Sequence, residues 1–102
     1  MSDFNVEITL QAQSELFETA EYIALDNPER ARSFVRGLVS HFKKILSTFP
    51  ESGKTYSGKV RQLSHRGHTC FYTVIKKENQ VVILHIVDLS KPLQARNINL
   101  DD

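Results

Sequence analysis

The side chains best suited to chemistry in this chain of 102 residues are its histidines and its single cysteine. His85 has an ionisation range near neutrality, so it could give or take a proton in an acid/base reaction. His65, His68 and Cys70 are zinc-ligand types, and His68 and Cys70 would share one face of a strand. A structural zinc site needs four ligands, however, and the sequence offers no second pair. We therefore expect no metal, and since there is no glycine-rich phosphate loop, we expect no cofactor.

The net charge of +1 conceals a separation of charge along the chain. Residues 1–27 hold six acidic side chains and no Lys or Arg, whereas residues 28–77 hold eleven Lys and Arg against two acids. A basic region of this kind favours an acidic partner, either protein or nucleic acid. The competing interpretation is two solvated helix faces of opposite sign that partly complement each other.

The elements that must position these residues begin with a strand and a helix. Val6, Ile8 and Leu10 alternate with polar residues, which is the pattern of a half-buried strand. Thr9 is a good helix cap. Apolar residues then recur every three to four positions, which predicts a first helix ending near Leu25.

A second helix is predicted from Asn27 and Pro28, because Asn is a strong cap and Pro fits the first helical position. An apolar stripe with helical period follows as far as Phe49, and we expect its aromatic residues to be core. Gly37 interrupts this helix and predicts a close approach to the first one. The short connection predicts an antiparallel helical hairpin. The stripe consists of Ala31, Phe34, Val35, Leu38, Phe42, Ile45, Leu46 and Phe49.

Three strand-like runs follow a polar loop that spans residues 51–58, and their short connections predict an antiparallel meander. They are Val60–Ser64, His68–Ile75 and Val81–Leu89. One face of this sheet should be buried under the hairpin. We assign to that face Cys70, Tyr72, Val74, Val82, Leu84 and Ile86, and to the more open face Phe71, Thr73, His85 and Arg61.

The chain is long enough for one domain, which we place at residues 1–90, with a tail at residues 91–102 that is irregular or ordered only by a partner. One cysteine excludes an internal disulfide. The sequence shows no signal peptide and no apolar run of the roughly 20 residues that span a bilayer. The expected compartment is the cytoplasm, without membrane association.

The order of these elements resembles the ParE/RelE superfamily of bacterial toxins from type II toxin–antitoxin systems, and its ParE branch in particular. The segments that carry the resemblance are TLQAQSEL (9–16), EYIA (21–24), NPERARSFVRGL (27–38), ILSTFPESGK (45–54), VRQL (60–63), CFYTV (70–74) and VVILHIV (81–87). The fold implied is α+β: an N-terminal strand, then an antiparallel two-helix hairpin packed on an antiparallel meander. Where this family usually has a basic segment after its last strand, the present chain has Asp88-Leu89-Ser90-Lys91-Pro92.

The resemblance implies a toxin that inhibits DNA gyrase without being an enzyme and is held inactive by a cognate antitoxin. The contacts would be made by apolar and cationic surface, and an acidic, partly disordered antitoxin segment could fold upon it. The cations that we expect to contact a partner are Arg32, Arg36, Lys43, Lys44 and Arg61.

Two alternatives remain open at this point. The RelE branch cleaves messenger RNA on the ribosome, and in that case Arg61 would hold phosphate and His85 would serve as acid or base. Lys54 and Lys59 precede the strand that carries Arg61. The other alternative is a degenerate toxin that only binds its antitoxin, which is the interpretation favoured by the altered segment after the last strand.

Overall fold

Two helices and five strands make up the computed structural model, which describes residues 3–89. The predicted tail at residues 91–102 lies outside the described residues. The helices are α1 (Leu10–Ala24) and α2 (Pro28–Thr48). The strands are β1 (Asn5–Ile8), β2 (Lys54–Ser57), β3 (Val60–His65), β4 (His68–Ile75) and β5 (Gln80–Asp88).

All five strands form one sheet in the order β1-β5-β4-β3-β2. The neighbours from β2 to β5 are antiparallel, and β1 joins the edge of β5 in parallel, with Val6 beside Val81. The predicted α+β architecture is thus confirmed. The strand β2 was missed, because its four residues are all exposed and carry no apolar alternation.

Both helices begin where their capping residues predicted. The Thr9 hydroxyl accepts a hydrogen bond from the backbone N–H of Ala12 at 3.2 Å and also donates to the carbonyl of Ile83 at 2.9 Å. Asn27 caps α2 by accepting from the backbone N–H of Arg30 at 3.1 Å. Thr9 therefore both starts α1 and ties that start to β5.

The main core lies between the helices and one face of the sheet. From α2 it takes Leu38, Phe42 and Leu46, none more than 1% exposed. Phe49, which we expected in this core, is 63% exposed. Because α2 ends at Thr48, the backbone of Phe49 (φ −127°) leaves the helical spacing that the prediction assumed. The remaining buried members of the core are Ala12, Leu16, Cys70, Tyr72, Val81, Ile83 and Ile86.

The prediction that Val82 and Leu84 face the hairpin was wrong. Tyr72 pairs with Ile83 while its neighbour Phe71 pairs with His85, so Leu84 is an extra residue in β5. Such a bulge reverses the in-and-out alternation of a strand at the point where it occurs. Leu84 consequently packs with a second small cluster that contains Val60, Phe71 and Val87.

Gly37 does not mark a close approach of the two helices, contrary to our expectation. A Cβ atom placed on it would meet nothing within 4 Å, so the position lies on open surface.

Replacement of Gly37 by alanine should therefore raise the free energy of unfolding by about 0.5–1 kcal/mol, the usual gain in an exposed helix interior. Urea denaturation of both proteins measures the change. A loss of stability would contradict the open surroundings of this glycine.

Candidate functional surfaces

Arg61 is turned toward the helix side of the sheet and not toward the open face on which we had placed it. It lies directly across the β3–β4 ladder from Tyr72, and cross-strand partners share a face. Its Nη1 donates to the carbonyl oxygen of Gly53 at 2.8 Å and to that of Glu51 at 3.3 Å. The guanidinium thus holds the loop that follows α2.

The same loop is fixed by a buried tyrosine. The Oη atom of Tyr72 accepts a hydrogen bond from the backbone N–H of Gly53 at 3.0 Å. Burial raises the pKa of Tyr72, and the hydrogen bond from Gly53 opposes part of that rise. At the loop's outer side, Lys76 lies 2.9 Å from the Glu51 carboxylate and lowers the pKa of that acid. Three separate contacts therefore converge on residues 51–53.

His85 is also not on an open face, because only 2% of it is exposed. Its Nδ1 lies 2.7 Å from Oε2 of Glu15 on α1, and the other oxygen of that carboxylate accepts from the backbone N–H of Ile86 at 2.9 Å. The ladder between β1 and β5 ends at Ile83, so Glu15 supplies an acceptor to the next stretch of β5. The carboxylate fastens α1 to this strand.

Glu15 was not among the residues predicted to have a functional or structural role. The only signal was its helical phase, since it comes three positions after the buried Ala12 and directly before the buried Leu16. An acidic residue next to the buried face of a helix predicts a polar partner on the element against which that face packs.

The two residues of the nuclease alternative are not brought together. Arg61 lies on β3 with its guanidinium on the loop after α2, and His85 lies on β5 with its ring on Glu15. Strand β4 separates the two strands. Both side chains make hydrogen bonds that serve the fold.

The two histidines and the cysteine of zinc-ligand type, His65, His68 and Cys70, lie on the helix side of the sheet but do not converge. His65 stacks on His41 of α2 with ring centroids 3.5 Å apart, whereas His68 packs its ring edge against Phe34. Desolvation lowers the pKa of His65, with further contributions from the nearby His41 and Arg66. Burial raises the pKa of the Cys70 thiol to about 12, which disfavours a thiolate. Within residues 3–89 no three potential metal ligands lie together.

A cationic stripe runs along the outer side of α2. Arg32, Arg36 and Lys43 are exposed and, at about 100° per residue, fall within about 40° of one another around the helix axis. Lys44 is also exposed, but it lies about 80° from Arg36 around the helix axis. We call Arg32, Arg36 and Lys43 the α2 stripe; Arg61, on the sheet, is not part of it.

The family match and the fold place the chain among the toxins of the ParE/RelE superfamily. A family model described as the ParE toxin of type II toxin–antitoxin system, parDE, matches residues 6–91, and the chain belongs to this family. Comparison with curated protein sequences gave no match. Within residues 3–89, neither helix has the length and apolar character to cross a bilayer.

Solved structures with the same fold come from both branches of the superfamily. The chain is similar to a chromosomal ParDE system of P. aeruginosa, with 22% identity, a TM-score of 0.71, and 83% of this chain and 95% of that chain covered. It is also similar to the toxin–antitoxin complex RelBE2 of Mycobacterium tuberculosis, with 20% identity, a TM-score of 0.67, and coverage of 86% and 93%. The isolated RelE toxin of E. coli gives 15% identity, a TM-score of 0.58, and coverage of 83% of each chain.

Proposed function

We propose that this type II toxin inhibits DNA gyrase in the cytoplasm and is neutralised by a cognate antitoxin. Membership of the ParE family supports the first part. The similarity to a chain from the RelBE2 toxin–antitoxin complex supports the second.

The observation that carries the choice of gyrase over messenger RNA is the engagement of Arg61 and His85. A ribonuclease needs an accessible base for the 2′-hydroxyl, an acid for the leaving oxygen and a cation for the phosphate. Here His85 is buried and its Nδ1 contacts the carboxylate of Glu15, while the Arg61 guanidinium donates to two backbone carbonyls of the loop after α2. A protein that acts by binding needs neither group at its surface.

The α2 stripe is the contact surface that we assign to the target. Its three cations are exposed, and long cationic side chains on one helix face attract an acidic surface or the phosphates of gyrase-bound DNA. Lys44, which is exposed beside the α2 stripe, widens the positively charged surface. Arg61 contributes by holding the loop at the end of α2 and not by contact through its own guanidinium.

Replacement of Arg32, Arg36 and Lys43 by glutamine should reduce the trapping of cleaved gyrase–DNA complexes at least about tenfold, because charge-steered contacts are lost while helix propensity is kept. The measurement is a titration of purified toxin against gyrase and supercoiled DNA, with growth arrest after induced expression as the readout in cells.

The matched control is Lys54→Gln/Lys59→Gln/Lys77→Gln, which removes the same charge from three exposed positions outside α2. It should trap gyrase as the parent does. Transcript cleavage without gyrase–DNA complexes would overturn the proposal in favour of the ribonuclease. Binding to an antitoxin with no growth defect would overturn it in favour of a degenerate toxin.

A further inference from the structure

The outer face of α1 exposes large apolar side chains that the core does not use. Leu10 is 81% exposed, Phe17 65% and Leu25 85%. Leu25 continues the helical backbone at the C-cap, and at about 100° per residue the three side chains fall within about 80° of one another. They extend over about 22 Å, the rise of fifteen residues of helix. This is a second apolar seam, opposite the one that carries Ala12 and Leu16.

Carboxylates lie along the same face. Glu18 and Glu21 are exposed, and neither forms an ion pair with another residue of the described part of the chain. No Lys or Arg occurs in residues 1–27, so the chain supplies no cation from this segment. We call Leu10, Phe17, Glu18, Glu21 and Leu25 the α1 face. It combines apolar contact area with uncompensated negative charge.

The occupant of this face must carry both apolar and cationic groups. A second copy of the chain fits poorly, because two α1 faces set against each other would bring like charges together. The α2 stripe of a second copy has the right charge, but α2 presents no large exposed apolar side chain to cover Phe17 or Leu25. A helix that repeats apolar residues every three to four positions, flanked by Lys or Arg, satisfies both needs.

We propose that the α1 face is a docking surface for a cationic amphipathic helix of a protein partner. The apolar stripe of such a helix would cover Leu10, Phe17 and Leu25, and its Lys or Arg side chains would lie beside Glu18 and Glu21. This inference does not depend on the target proposed for the toxin.

Three helical peptides of about 16 residues test the surface directly. Two share one apolar stripe and differ only in having Lys or Glu on the flanks, and the third has the Lys peptide's composition without its periodicity. Purified toxin should bind the Lys peptide at least about tenfold more tightly than the other two in fluorescence anisotropy at low salt. Hydrogen exchange should show protection of residues 10–25 by the Lys peptide.

Glu18→Lys/Glu21→Lys should reverse the preference, so that the Glu peptide binds more tightly. Both positions are exposed, so the fold is not at risk. Phe17→Gln should weaken the preferred peptide about tenfold, because it removes the central apolar contact. The matched control, Arg32→Glu/Arg36→Glu on α2, should leave protection of residues 10–25 by the Lys peptide unchanged.

Equal binding of the three peptides, or protection that lies outside α1, would overturn the proposal. The proposal would also be overturned if the Glu18→Lys/Glu21→Lys variant still bound the Lys peptide more tightly than the Glu peptide. Because the readout is peptide binding, it does not depend on gyrase. A toxin that fails to trap gyrase but shows the reversal would refute the proposed target alone.

Discussion

Replacement of Gly53 by alanine should lower the free energy of unfolding by about 3 kcal/mol, a large part of the total for a domain of this size. The added Cβ would lie against the backbone carbonyl oxygen of Gln62, closer than Cβ atoms come to such an atom, and 2.7 Å from Oη of Tyr72. Gln62 pairs with Lys54 and Phe71, so its carbonyl cannot move without disturbing the sheet. Urea denaturation followed by circular dichroism measures the loss.

The matched control is Gly37→Ala, which adds the same methyl group at an open helical site and should be stabilising. The two glycines therefore give opposite signs for one chemical change. Near-parental stability of the Gly53 variant would show that the loop shifts freely, and the convergence of Arg61 and Tyr72 upon it would then carry little energy.

The contrast between these glycines shows where sequence reasoning succeeds. Thr9, Asn27 and Pro28 predicted the helix starts correctly, because a cap acts on backbone groups within three residues of itself. The apolar stripe of α2 was predictable for the same reason, up to Phe49. The local sequence placed Gly37 in a helix and Gly53 in a loop, but it did not predict how much space surrounds each glycine. That space depends on Gln62 and Tyr72, which are distant in sequence from Gly53.

Errors in the predicted site have a common physical origin in contacts between distant parts of the chain. The bulge at Leu84 depends on how β5 pairs with β4, and it inverts the faces of residues that the alternation alone had assigned. The Glu15–His85 contact joins residues 70 positions apart. Arg61 and His85 were assigned by residue type, which predicts what a side chain can do but not which neighbour occupies it. The exposure of the α2 cations follows from helical phase alone, because they lie off the buried stripe of that helix; their contact with a partner stays a prediction.

Glu15→Ala is expected to cost about 3 kcal/mol of stability, although this residue was absent from every sequence-based prediction. One carboxylate oxygen is the acceptor for the backbone N–H of Ile86, and the other lies 2.7 Å from Nδ1 of the buried His85. Alanine removes both contacts at once, and leaving a buried donor without its acceptor costs more than the hydrogen bond itself contributes. Glu15→Gln keeps one carbonyl oxygen and should lose about half as much.

The control for this prediction is Glu18→Ala. Glu18 lies on the same helix, its side chain is exposed, and within residues 3–89 it forms no ion pair. Its stability should stay within about 0.5 kcal/mol of the parent. Thermal unfolding of the two variants side by side separates the buried contact from a general effect of removing negative charge. Equal losses would refute a specific role for Glu15.

Glu15→Gln also distinguishes the two candidate roles of His85, which are acid/base catalysis and stabilisation of the fold. If His85 were an acid or base acting on RNA, Glu15 would orient its ring, and Glu15→Gln would lower the rate of transcript cleavage more than it lowers the amount of folded protein. If His85 serves only the fold, growth arrest should fall in proportion to the folded fraction and recover fully on cooling. We expect proportional loss, because His85 is only 2% exposed and its Nδ1 lies 2.7 Å from the carboxylate of Glu15 on α1.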